Sequence, residues 1–308
     1  MGGWRATQGL WIVAVLSTGC GGGSATTRAE HQGIIGGEET TEWPAVVALL
    51  LADSTILCSG TLIDPSVVLT AAHCGTQAGP GDLVYFGSSV FAAGELLEVD
   101  SVEVHPDYDG EDPRHDLAIL FLTEESDVTP VSLALEGVDS SWTGTVMHAV
   151  GFGNADSYAG ETGGIKREVD VDISGVDSFI LYHETPGQNT CSGDSGGPLF
   201  VEDGDGWSQV AVASFVYPLE TYEDYCSGGG GDVRLDKHLE WLDEVVELGL
   251  EIDTGDDDDD TGEGSYLEDD EGGCGASFTG RRTSSPCALL FLLGLLWVKR
   301  ARASKSEI

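Results

Sequence analysis

Short apolar runs punctuated by glycine, proline and aspartate fill residues 34–250. Ala45–Ala52, Leu57–Ile63, Val67–Thr70, Leu117–Leu122, Val146–Val150, Arg167–Ile173 and Val210–Phe215 have the length and the β-branched, aliphatic make-up of strands. They predict an all-β body. One segment follows a different period. Across Leu235–Leu248, the residues Leu235, Leu239, Leu242 and Val246 recur at helical spacing, which predicts an amphipathic C-terminal α-helix packed on that body.

The two ends read differently. Residues 1–20 form an export signal: Arg5 supplies positive charge, Leu10–Leu16 an apolar stretch, and Ser17-Thr18-Gly19-Cys20 a small-residue cleavage region. Gly19-Cys20 loosely resembles a bacterial lipoprotein box, so lipidation at Cys20 and simple cleavage both stay open. Residues 21–33 are a polar linker or propeptide, and residues 251–273 an acidic spacer carrying the unbroken run Asp256–Asp260. In 274–308, the apolar run 287–298 is short for a membrane span of ~20 residues and is followed by Lys299-Arg300. With the upstream Gly-Gly-Cys274-Gly, this tail resembles the MYXO-CTERM bacterial surface-sorting signals, in which Cys274 would be the processing point. An ordinary single-span anchor is the alternative; both tether the protein outside the cell.

Charge narrows the possible partners. The chain holds 13 Lys and Arg against 54 Asp and Glu, a formal net charge of -41. Residues 34–250 alone carry five basic and 40 acidic residues, so the excess is not confined to a tail. Such a surface repels nucleic acid and anionic membrane. Any membrane contact is therefore expected only through the terminal segments, and the charge reads as a solubility device. Four of the seven cysteines, Cys58, Cys74, Cys191 and Cys226, lie in the body, an even number that suits two disulfides made in an oxidising compartment.

The chemistry centres on Gly193-Asp194-Ser195-Gly196-Gly197-Pro198. A serine hydroxyl needs a base to remove its proton and backbone N–H groups to receive the oxyanion that follows its attack. Glycines around Ser195 allow the N–H groups of Gly193 and Ser195 to point the same way. The candidate base is His73 in Leu69-Thr70-Ala71-Ala72-His73-Cys74, held between small residues and a cysteine after an apolar strand. The candidate partner is Asp116 in His115-Asp116-Leu117-Ala118, a carboxylate at the mouth of another apolar strand, able to fix the tautomer of His73.

These three motifs, in the order His…Asp…Ser, resemble those of the chymotrypsin/trypsin family of serine proteases. The resemblance covers most of 34–250. It implies two six-stranded antiparallel β-barrels with the site in the cleft between them, and a monomer hydrolysing protein or peptide substrates through an acyl-enzyme, with neither metal nor organic cofactor. It further implies that Ile34, in Ile34-Ile35-Gly36-Gly37, is the matured N-terminus whose ammonium pairs with Asp194. Disulfides Cys58–Cys74 and Cys191–Cys226 are implied as well, with Ser214 supporting Asp116. Gly151-Phe152-Gly153 resembles the family's Gly-Trp-Gly turn.

The sequence departs from that pattern in two places. Gly33 stands where the activation site usually carries a basic residue, so no trypsin-like activator is implied. Asn189 occupies the pocket-floor position where trypsins carry Asp, and Val216 a position where open pockets carry Gly. An amide cannot offset the desolvation of a substrate Arg or Lys. The expectation is a neutral, modest-sized residue before the cleaved bond (P1), with Asp232, either a loop acid or a nearby charge, as the feature that would favour a cation instead. A non-catalytic homologue serving as a binding module, and an esterase, are the competing readings.

Overall fold

The computed structural model describes residues 34–154, 163–204, 206–218 and 225–250; the signal, linker and tail assignments fall outside them. Six strands make the first closed barrel: β1 (Val46–Leu50), β2 (Ile56–Asp64), β3 (Val67–Thr70), β4 (Leu83–Phe86), β5 (Glu95–Val104) and β6 (Ala118–Leu122), hydrogen-bonded in the order β1-β2-β3-β6-β5-β4. β4 returns to β1, closing the ring and removing its edges. A second ring is built from β7 (Val146–Gly151), β8 (Arg167–Val176), β9 (Ile180–His183), β10 (Pro198–Glu202), β11 (Trp207–Tyr217) and β12 (Gly229–Arg234). Its order is β8-β9-β12-β11-β10-β7, closed by β7 on β8. Every pairing within the two rings is antiparallel.

Burial explains why some strands read as unbroken apolar runs. All five residues of β1 are buried because both of its faces are covered. Val47 and Leu49 enter the core of the first barrel, while Val46, Ala48 and Leu50 meet Val150, Phe152 and Phe200 in a cluster that joins the barrels. β8 instead alternates: Val169, Val171 and Ile173 face the second core while Asp170 and Asp172 face solvent. Each fully buried aliphatic side chain contributes about 1.5–3 kcal/mol, so the joining cluster is a strong adhesive between the rings.

The C-terminal helix is present but shorter than the periodicity predicts. Residues Leu235–Lys237 form a 3-10 turn, His238 leaves helical geometry, and the α-helix spans Leu239–Val246, stopped by Glu247 in the left-handed region. Leu235, Leu239 and Leu242 nevertheless bury together.

Candidate active site

β3 runs directly into a one-turn helix, Ala72–Gly75, which carries His73. The Cys58–Cys74 disulfide fastens that turn to β2. Asp116 ends a 3-10 turn at Pro113–His115, immediately before β6, and the pairing of Thr70 with Ala118 brings the two segments side by side. Asp116 is buried, and both of its carboxylate oxygens are engaged. Oδ1 accepts the backbone N–H of His73 at 2.8 Å; Oδ2 accepts its Nδ1–H at 2.8 Å and the Ser214 hydroxyl at 2.6 Å. A carboxylate only accepts, so Nδ1 carries a proton, and in the neutral ring the lone pair lies on Nε2. Ser214 reaches Asp116 from a bulge in β11, where pairing with β12 shifts register between Ala213 and Phe215.

The loop 191–197 shapes the nucleophile's surroundings. In a trans peptide the C=O and the following N–H point in opposite directions. The Ser192 carbonyl is held by Asn154 N–H at 2.7 Å and that of Asp194 by Gly197 N–H at 2.8 Å. The N–H groups of Gly193 and Ser195 are thereby turned the other way, and among the described residues neither has an acceptor. Gly193 sits at φ +95° and Gly196 at +80°, and a Cβ at Gly196 would come within 2.0 Å of Thr70 Oγ1. Ser195 is anchored by its carbonyl, which accepts Ser59 N–H at 2.9 Å. Its hydroxyl makes no hydrogen bond to His73 Nε2, a contact that in substrate-free sites commonly tightens only on binding.

Beside Ser195 opens a cavity of about 210 Å³ lined by Thr190, Cys191, Ser192, Ala213, Ser214, Phe215, Val216 and Tyr225. The Cys191–Cys226 disulfide ties two of its sides together. Val216 lies on the lining as expected, but Asn189 does not. It is buried one layer below, its Nδ2 donating to the carbonyls of Cys226 (2.9 Å) and Gly229 (3.2 Å). Asp232 is likewise fully buried, with Oδ2 2.7 Å from His183 Nδ1.

Ile34 is fully buried. Asp194 is buried too, accepting Gly153 N–H at 2.8 Å and Cys191 N–H at 2.9 Å. Burial pushes its carboxyl up to about 7, against those two hydrogen bonds and the more distant charge of Arg167. No ion pair joins Asp194 to Ile34 in this continuous chain.

Two groups among the described residues bring potential metal ligands together. In the first, Cys58, His73 and Cys74, both thiols are consumed by the disulfide. The second is His105, His115 and His238, behind the Asp116 turn, with His105 stacked on His115 and His238 edge-on to both. His238 Nε2–H donates to the Arg114 carbonyl at 3.0 Å, and burial pulls this ring down to about 4. The cluster packs as an aromatic flank on that turn.

Ser59 was not among the residues singled out from sequence. Its hydroxyl accepts the Phe152 N–H at 2.9 Å and donates to the Gly193 carbonyl at 2.9 Å, so a residue of the first barrel clamps the nucleophile loop of the second. The one cue was a polar residue inside an apolar strand. Ser59→Ala is expected to cost about 1–3 kcal/mol by stranding the buried Phe152 N–H. It should also lower kcat about tenfold, through a looser Gly193 peptide. Thermal unfolding and steady-state kinetics check this; an unaltered kcat would mean the Gly193 carbonyl needs no anchor.

Comparison with known proteins agrees with this geometry. The family model described as Trypsin matches residues 34–229. Serine protease 28 of Mus musculus is 30% identical over 225 residues, 61% of this chain and 81% of that protein. Trypsin of Saccharopolyspora erythraea is 32% identical over 188 residues, covering 55% and 82% of the two chains. Brachyurin of Leptuca pugilator is 32% identical over 184 residues, covering 54% and 80%.

Proposed function

Because the chain belongs to the trypsin family and is a serine endopeptidase, we propose that Ser195, His73 and Asp116 are its catalytic triad. The observation that carries this is the double grip of Asp116 on His73, which engages the backbone N–H and Nδ1 and leaves Nε2 as the ring nitrogen available to act as base, while Ser195 lines the neighbouring cavity. In the reaction His73 Nε2 takes the Ser195 hydroxyl proton as Oγ bonds to the scissile carbonyl carbon. The carbonyl oxygen becomes an oxyanion and receives the N–H groups of Gly193 and Ser195. Protonated His73 then gives its proton to the leaving amine, and the C–N bond breaks. Water, deprotonated by the same ring, attacks the resulting ester and releases the acid and free Ser195.

The cavity's small volume and its lining of Phe215, Val216 and Ala213 support an uncharged P1 residue of modest size. On the far side of Gly193, a hollow of about 490 Å³ edged by Phe91 and Leu57 would receive residues beyond the cleaved bond. The body 34–250 would act outside the cell as a monomer. The export signal 1–20 would send it there, and the acidic spacer 251–273 would tether it through the sorting tail 274–308.

A fluorophosphonate probe, which needs an activated serine, tests the reading. Protein beginning at Ile34 is expected to be labelled at one site, and Ser195→Ala to abolish labelling. An unlabelled, correctly matured protein would favour the binding-module reading instead. Turnover of protein against simple ester substrates separates peptidase from esterase.

A further inference from the structure

Directly beneath the P1 cavity lies a buried chain of polar groups that the proposed chemistry leaves unused. His183, the last residue of β9, and Asp232, within β12, are both completely buried. Nδ1 of the ring is 2.7 Å from Asp232 Oδ2, and Nε2 is 2.6 Å from Asn189 Oδ1. The amide's orientation is fixed from its other end, because Nδ2 faces two carbonyls and must donate, leaving Oδ1 as the acceptor. Nε2 therefore carries a hydrogen. A second proton lies in the contact between Nδ1 and the carboxylate, for otherwise two lone pairs would face each other at 2.7 Å. Wherever along that contact it rests, the pair has no net charge. Burial lowers the tendency of His183 to hold a proton, but the adjacent Asp232 charge and the hydrogen bonds outweigh it and raise the ring's pKa. Burial raises that of Asp232 as well.

The position of the pair matters as much as its charge. Asp232 is opposite Ala213 in the sheet, and Gly230, whose backbone touches the imidazole, is opposite Val216. Ala213 and Val216 both line the cavity, while Asn189 and Cys226 are the chain neighbours of the lining residues Thr190 and Tyr225. A Cβ at Gly230 would come within 2.3 Å of the imidazole, so glycine at that position of β12 leaves the ring its room.

We propose that His183 is a fixed internal counterion, holding against Asp232 the place that a substrate's cationic side chain would otherwise take, so that the enzyme accepts uncharged P1 residues. The inference rests on reading the cavity beside Ser195 as the P1 subsite. It makes His183 a specificity-determining residue that acts through Asp232.

The test uses full-length matured protein and peptides that differ only at P1, with Arg or Lys against Ala, Val or Leu, and benzamidine as a probe for a cation site. The wild type is expected to cut after neutral residues about 100-fold faster than after Arg or Lys, and to ignore millimolar benzamidine. His183→Gln, which stays near the ring's volume and keeps an N–H for Asp232, should shift the P1 ratio toward Arg and Lys by about tenfold or more. It should also gain inhibition by benzamidine and a higher unfolding temperature in its presence. His183→Ala should do the same more strongly where it folds. His183→Gln with Asp232→Asn should lose these gains, which separates an effect of charge from mere loss of the ring. An unchanged ratio in His183→Gln, or a wild type that cuts after Arg and Lys as readily as after neutral residues, would overturn the proposal while leaving the protease reading intact. A wild type that cuts nothing and resists the fluorophosphonate would remove both.

Discussion

His73→Ala is expected to lower kcat by about 10⁵–10⁶-fold while KM moves little. In the proposed mechanism the ring removes the Ser195 proton, and a serine at its ordinary pKa is a poor nucleophile at neutral pH. The residual rate, about 10³-fold over water, would come from the amides of Gly193 and Ser195 and from substrate positioning. Asp116→Asn should be milder, about 10⁴-fold, and for a distinct reason. An amide NH₂ facing His73 Nδ1 would favour the tautomer whose proton sits on Nε2, leaving no lone pair toward the nucleophile. The 2.8 Å contact to His73 N–H and the 2.6 Å contact from Ser214 hold the Asp116 side chain in place, so a purely structural loss is not expected. Single-turnover kinetics on peptide substrates measures both variants. A loss under tenfold for His73→Ala would remove this residue from the mechanism.

Cleavage before Ile34 should produce the second large effect. In the continuous chain Asp194 is buried with only the more distant charge of Arg167 to offset burial, its carboxyl pushed up to about 7. A raised carboxyl favours the fold most below its unfolded value of ~3.9, and the benefit fades as pH rises through the folded value. Over that window the uncleaved protein should lose on the order of 4 kcal/mol from this one group. A freed Ile34 ammonium would pair with the carboxylate and cancel the slope. It would also hold the 191–197 loop with its two amides facing substrate. Urea midpoints at pH 5 and pH 8 on uncleaved and matured protein isolate the effect, since the strongly acidic surface is common to both forms. The matured form should also be more active by about 10²–10³-fold, and Asp194→Asn should forfeit that gain. Identical pH slopes in the two forms would sink the switch.

Much of this was legible in the sequence because its signals are local. The segments around His73, Asp116 and Ser195 each announce their chemistry within six residues, and the apolar runs locate most of both barrels. What was hidden depends on neighbours far along the chain. β5 reads as a charged stretch because only Leu97 and Val99 are buried among exposed acids. β12 begins Gly229-Gly230-Gly231 and reads as a loop, yet every residue in it is buried. Its glycines make room for the rings of Tyr217, His183 and Phe215, which would lie within 2.5 Å of a Cβ there. Val216 lines the cavity as expected, but Asn189 lies below it, and its partner there, His183, carries no motif of its own. Ser59 was equally silent, since its clamp becomes visible only when the two barrels meet.

The groups of the proposed site are shared between those barrels: Ser59, His73 and Asp116 belong to the first, and Gly193, Ser195 and Ser214 to the second. Translation therefore releases the imidazole long before the hydroxyl. An emerging polypeptide holds a base with nothing to activate until its last strands have closed around the rest. If the triad is the proposed one, the order of the residues alone would keep the chain inactive during its synthesis, before any propeptide had to intervene.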